Sequence, residues 1–186
     1  MEPVFTIGYG NRSRERLLAA LSCRQIKYLI DVRSNPRSNY RPEFSDDQLK
    51  DFLKNAGISY VPMGDSLGGR PSDPTCYRHG HVIYDEVRER PFFKTGIRRI
   101  QSALKKNLRI CLMCSEGKPE ECHRSKLIGF VLETLGIPVI HIGVQEEEIS
   151  QRDVLTKLAA SQSNLFGNAL TSRKTYRVRT IEGAFE

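Results

Sequence analysis

The segment Leu108-Arg-Ile-Cys-Leu-Met-Cys114, followed by Ser115-Glu-Gly-Lys-Pro-Glu-Glu-Cys-His-Arg-Ser125, decides how this chain is read. An almost unbroken apolar run, rather than an alternation, suits a strand buried on both faces of a parallel sheet. Gly117 and Pro119 interrupt it, and Leu127, Ile128, Val131, Leu132 and Leu135 then recur at helical spacing until Gly136. Residues 137–142 return to a strand pattern.

Toward the N-terminus the same alternation repeats. Val4–Ile7 reads as a strand ended by Gly8-Tyr-Gly-Asn11, and Ser13 caps a helix carrying Leu17, Leu18 and Leu21. Tyr28–Val32 is a second strand. Ser45-Asp-Asp-Gln48 has capping-box spacing before Leu49, Phe52 and Leu53, and Gly57 stops that helix ahead of a strand at residues 58–61. A helix over residues 92–105 presents Phe93, Ile97, Ile100 and Leu104. This order predicts the α/β class: an open, mostly parallel, Rossmann-like sheet of about five strands flanked by helices. Between Gly64 and Arg90 glycines and prolines break the periodicity, which predicts an irregular lid loop. Residues 1–145 read as the α/β domain. Residues 146–186 read as a helical and irregular C-terminal extension, with a helix near Val154 and Leu158 and a basic end at Arg173-Lys-Thr-Tyr-Arg177.

Lysine and arginine total 29 against 22 acidic residues, and the net charge of +7 is carried by residues 1–145. Arginines outnumber lysines, and arginine is the better fork for phosphate. The partner predicted is a phosphate-bearing small molecule or nucleic acid, gripped mainly by the body of the chain rather than its tail. No apolar run reaches membrane-span length and the N-terminus lacks a signal-peptide pattern, so the expectation is a cytoplasmic protein with no membrane partner. Five cysteines, an odd number, are expected to be reduced thiols, with Cys23 and Cys111 on apolar faces.

Ligands of open parallel sheets bind at the carboxyl ends of the strands. Those ends hold Gly8, Tyr9 and Asn11, then Asp31 and Arg33, then Cys114 and Glu116. Cys122 and His123 fall at a helix N-terminus, with Arg124 and Ser125 in its first turn, where an anion is favoured and a thiol is acidified. The roles assigned are Cys114 or Cys122 as nucleophile, His123 as proton carrier, and Arg33 and Arg124 as an anion clamp. Gly8, Tyr9 and Asn11 form the pocket floor, with Arg37, Glu116 and Ser125 beside the anion. Arg33, Arg37 and Arg41, with Tyr40 and Phe44 interleaved, suit phosphate contact and base stacking. Arg124 is placed against the helix dipole, which argues for a bound anion unless Glu120 or Glu121 pairs with it.

Two further patterns bear on metals. Cys111-x-x-Cys114 lies inside a strand, so its thiols point to opposite faces. Cys114, Cys122 and His123 with His79, His81 or Cys76 make a zinc-type donor set, but ligand pairs at short spacing are missing, so no metal and no cofactor is expected. His141, in the last strand, reads as a satisfied core histidine.

Thr6-Ile-Gly-Tyr-Gly-Asn-Arg12, Asp31-Val-Arg-Ser-Asn-Pro-Arg-Ser38, Leu67-Gly-Gly-Arg70, Leu112-Met-Cys-Ser-Glu116 and Cys122-His-Arg-Ser125 together resemble the domain-of-unknown-function 488 family. The resemblance spans roughly residues 4–145 and implies a compact α/β fold with no established reaction. More loosely, Leu29-Ile-Asp-Val-Arg33, the strand-Cys-loop-Arg-Ser-helix unit and Gly136-Ile-Pro-Val139 look like the rhodanese and cysteine-phosphatase arrangement. That similarity implies Cys114 as nucleophile and Arg124 as loop arginine, across a loop of nine residues where those enzymes use a shorter one.

Overall fold

The computed structural model describes residues 2–161 and 170–177. Its frame is a six-stranded sheet formed by β1 (Val4–Gly8), β2 (Tyr28–Asp31), β3 (Ser59–Pro62), β6 (Ile110–Cys114), β7 (Val139–Ile142) and β8 (Glu148–Ser150), in the order β3-β2-β6-β1-β7-β8. All pairings are parallel except β7 with β8. The sixth strand is one more than the periodicity predicts. Its three residues, Glu-Ile-Ser, are too few to show an alternation, and only the open edge of β7 makes them a strand.

Helices cover both faces. Leu17 and Leu21 of α1 (Arg14–Ser22) and Leu49 and Leu53 of α2 (Asp46–Asn55) pack with Phe5, Ile7, Leu29, Cys111 and Met113. On the other side Phe93, Ile97 and Ile100 of α5 (Pro91–Lys105) share a core with Ile30, Leu112, Cys114, Leu127 and Ile128. Neighbours along β6 therefore alternate between the two cores, and Cys111 and Cys114 do face apart, as the strand period requires. Because β6 is covered on both sides, every residue in it is buried.

The predicted caps are partly right. Ser13 accepts from the Arg16 amide at 3.2 Å. Ser45 stands at the N-cap of α2, but its hydroxyl makes no cap bond and accepts instead from the Ser38 amide at 3.1 Å, pinning the loop after β2. Gly57 and Gly136 stop their helices with φ of +71° and +72°.

The stretch 64–90, expected to be an irregular lid, is folded onto the body. It contains α3 (Gly64–Leu67), a hairpin of β4 (Tyr77–Arg78) and β5 (His81–Val82), and α4 (Tyr84–Glu89). Leu67, Cys76, Val82, Tyr84 and Val87 are core residues. The hairpin turn needs two positive φ angles, which His79 (+49°) and Gly80 (+79°) supply. After the loop that follows β6, Arg124–Gly129 is a π-helix that runs into α6 (Phe130–Thr134), a distinction that apolar spacing alone does not draw. The chain ends its described part with α7 (Gln151–Ser161) and the segment 170–177, which runs beside the hairpin: Ser172 N–H donates to the Val82 carbonyl at 3.0 Å and Tyr176 N–H to that of Gly80 at 2.7 Å. Among the described residues, no helix is long and apolar enough to cross a membrane.

The connections leaving β1 and β6 diverge, toward α1 on one face and the π-helix on the other. Adjacent parallel strands with diverging connections open a crevice at their carboxyl ends.

Candidate active site

A cavity of about 290 Å³ occupies that crevice. Its floor is made by Cys114 at the end of β6, Glu116 in the next loop, and Cys122 and His123 at the start of the π-helix. Both cysteines are nearly closed to solvent, at 3% and 1% exposure. The Cys114 thiol donates to Glu116 Oε2 at 3.0 Å, and the Cys122 sulfur is 3.6 Å from the same oxygen. His123 Nδ1 lies 3.8 Å from Cys114 Sγ and 3.7 Å from Cys122 Sγ. Cys114, Cys122 and His123 thus bring donor atoms within 4.8 Å of one another, a set able to hold a metal ion. His79, His81 and Cys76, the other partners considered for such a set, are not part of it.

Electrostatics divide these groups. The neighbouring Cys122 sulfur, then burial, push the Cys114 thiol far above its ordinary value, so in the free protein Cys114 is a proton donor rather than a poised thiolate. Burial opposes ionisation of Glu116, but the thiol bond from Cys114 and the charge of His123 outweigh it and hold the carboxyl below its usual range. Burial likewise works against charge on His123, yet the Cys114 sulfur and the Glu116 carboxylate raise its pKa.

The walls are cationic. Arg33 is buried against Asp31, with Nε 2.9 Å from Oδ1 and Nη2 2.5 Å from Oδ2, and Tyr60 completes the carboxylate at 2.6 Å. This clamp fixes the guanidinium of Arg33, a residue that lines the cavity, while its Nη1 is closed to solvent and has no hydrogen-bond partner. Arg37, Arg70, Arg173 and Lys174 also line the cavity, Arg173 paired at 3.2 Å with Glu121, another lining residue. Tyr9, also on the wall, stacks on Phe44 with ring centroids 4.3 Å apart.

Of the residues singled out from sequence, Tyr9, Arg33, Arg37, Cys114, Glu116, Cys122 and His123 line this one cavity. Four do not. Arg124, expected as an anion clamp, is wholly buried and donates from Nη1 to the Glu116 carbonyl at 2.5 Å and from Nη2 to that of Gly117 at 2.7 Å. It therefore holds the loop that carries the floor, and its charge is met by peptide dipoles rather than by Glu120 or Glu121. Ser125 bonds the Pro119 carbonyl at 2.5 Å and is closed to solvent. Gly8 lies behind the floor, where a Cβ would collide with the Glu116 carbonyl and the Arg124 guanidinium. Asn11 is exposed and off the cavity wall. Phe44, read as a base-stacking group, is core. Arg41 is committed to the Gly10 and Arg12 carbonyls at 3.0 and 2.7 Å. Cys23 is exposed at the end of α1, not on an apolar face, whereas burial pushes the Cys111 thiol up to about 12. His141 is the core histidine expected, bonded to Thr6 Oγ1 at 2.6 Å and Gln151 Oε1 at 2.7 Å.

Sequence reasoning missed Arg70, Tyr84, Arg173, Lys174 and Tyr176 as cavity residues. The basic run at 173–177 was visible, but only the hairpin that receives it brings it to the site.

Residues 13–131 match the family model described as "Domain of unknown function DUF488". No curated protein and no solved structure matches the chain.

Proposed function

The chain belongs to the DUF488 family, and from that premise we propose that it is an enzyme acting on a phosphate-bearing substrate in the cavity described above. The observation that carries this reading is the guanidinium of the cavity-lining Arg33, clamped by Asp31 with its Nη1 closed to solvent and without a partner. A buried, unsatisfied guanidinium nitrogen is costly, and an oxyanion is the group that satisfies it best. The phosphate sits between Arg33 and the outer cations Arg37, Arg70, Arg173 and Lys174. The remainder of the substrate then lies over the floor, where the two sulfurs, His123 Nδ1 and the Glu116 carboxylate converge. Floor and walls are preorganised on strand ends, which is how binding energy is turned toward a reacting group. A second reading, a non-catalytic nucleic-acid-binding module with structural thiols, is favoured by the exposed Tyr40 (92%), three residues after Arg37 in the chain.

Inorganic phosphate tests the anion site. It should raise the melting temperature of the parent protein by mass action, and Arg33→Ala should abolish the response. Equal responses in both proteins would overturn the reading. Nucleic-acid affinity that is steep in salt but indifferent to alkylation of Cys114 and Cys122 would select the binding module instead.

A further inference from the structure

The structure assigns a thiophilic divalent cation, of the zinc class, to the floor of the cavity, held by Cys114 Sγ, Cys122 Sγ and His123 Nδ1, with the Glu116 carboxylate beside the two sulfurs. The inference shares its residues with the function proposed above but does not depend on the substrate named there.

The first argument is spacing. Zinc bonds of roughly 2.3 Å to sulfur and 2.0–2.2 Å to nitrogen or oxygen give a tetrahedron whose sulfur-to-nitrogen and sulfur-to-oxygen edges are about 3.5 Å. The separations found are 3.8 and 3.7 Å from Nδ1 to the two sulfurs, and 3.6 and 3.0 Å from Oε2 to them. The shortest is the Cys114 thiol bond to Glu116, which relaxes once that thiol loses its proton. The two sulfurs and Nδ1, all within 4.8 Å of one another, therefore stand close to the positions they would occupy around an ion, and Glu116 Oε2 lies beside the sulfurs on the side away from Nδ1.

The second argument is the support behind each ligand. Metal-bound histidines characteristically donate their other ring N–H to a carbonyl or carboxylate. His123 Nε2 lies 3.0 Å from the Val32 carbonyl oxygen, which can only accept, so Nε2 carries hydrogen and Nδ1 is the nitrogen turned to the sulfurs. The Arg124 amide points at Cys122 Sγ from 3.5 Å, and Ser115 Oγ lies 3.3 Å from Glu116 Oε2. The two sulfurs sit at opposite ends of one loop, which Arg124 fastens through its carbonyls.

Charge and access agree. Binding displaces both thiol protons to solvent, so a divalent cation with two thiolates and one carboxylate has a net charge of −1, compatible with the cationic walls. Cys114, Cys122 and His123 supply three ligands, and the fourth position falls to Glu116, a water or a phosphate oxygen from the cavity, the three-ligand arrangement of catalytic zinc sites.

The test is titration of the chelator-treated full chain with Co2+, read by absorption, with metal analysis of protein purified in the presence of Zn2+. One ion per chain is expected, with thiolate-to-cobalt charge-transfer bands and intense visible bands of tetrahedral cobalt. Cys122→Ser should lose the charge-transfer intensity in large part, and Cys114→Ser, Cys122→Ser together should lose it wholly. Cys23→Ser and Cys76→Ser should leave it unchanged, and Glu116→Gln should keep the bands with weaker binding. Should the serine variants fail to fold, protection of Cys114 and Cys122 from alkylation by Zn2+ in the parent, with Cys23 still labelled, decides the matter. No stoichiometric ion, no thiolate band, or no zinc protection overturns the proposal. A phosphate response without metal binding would leave the anion reading standing, and metal binding without a phosphate response would overturn that reading alone.

Discussion

Val32 and His123, 91 positions apart in sequence, are joined by one hydrogen bond of 3.0 Å from the ring Nε2–H to the backbone carbonyl. That bond runs from the end of β2 to the loop after β6. It sets both the tautomer and the direction of the imidazole, so that Nδ1 meets the two sulfurs. Gly69 packs so closely on the same ring that a Cβ there would strike it. The imidazole is held from two sides, and the chemistry of the floor depends on that placement.

Arg124→Gln should weaken the fold. Two charge-assisted bonds to the Glu116 and Gly117 carbonyls disappear, and the loss expected is on the order of 3 kcal/mol. Urea unfolding measures it. A variant as stable as the parent would return Arg124 to the role of an anion ligand.

Gly8→Ala and Gly117→Ala should behave oppositely although both lie by the same loop. At Gly8 the added methyl meets the Glu116 carbonyl and Arg124, which leaves the loop no room and should cost about 1–3 kcal/mol or more. At Gly117 it meets a Val144 methyl and the Gly10 Cα, both at ordinary contact distance. Equal midpoints of denaturation for the two variants would contradict the packing described.

Arg173→Ala combined with Lys174→Ala should impair anion binding as much as Arg37→Ala does, even though the tail carries no net charge in excess. For a nucleic-acid ligand, each phosphate contact removed should lower the slope of log affinity against log salt by about one unit. Unchanged slope and affinity in the double variant would remove residues 170–177 from the site.

The acid limb of stability should report His141. Its pKa is lowered from 6.5 to about 4, chiefly by burial, while its unfolded value stays near 6.5. As pH falls through 6.5 the unfolded chain takes up a proton that the native ring refuses, so stability declines between pH 6.5 and 4, by a total on the order of 3 kcal/mol. His141→Gln should flatten that decline. His123 is present in both proteins, so its opposite contribution, lost as pH rises through its raised pKa, cancels in the difference. An equally steep acid limb in the variant would show that the decline comes from other groups.

How far the chain could be read in one dimension follows from where each signal resides. β6 announced itself because burial on both faces demands an unbroken apolar run, and Gly57 and Gly136 because only a left-handed residue ends a helix that way. The strand ends followed from these, and with them Tyr9, Arg33, Cys114 and Glu116, since a parallel sheet opens its crevice there. Cys122 and His123 were legible as a helix start. The direction of a side chain was not. Arg33 and Arg124 are both arginines beside a strand end or helix start, yet Asp31 clamps one as a lining residue of the cavity while two loop carbonyls take both terminal nitrogens of the other behind it. Only tertiary structure could decide this, because a guanidinium goes where acceptors are. Those acceptors belong to peptide groups whose positions exist only after the loop has closed. The same holds for the Cys114, Cys122 and His123 cluster, with Glu116 beside its sulfurs, which no short spacing foretells and which a single nine-residue turn between strand and helix assembles.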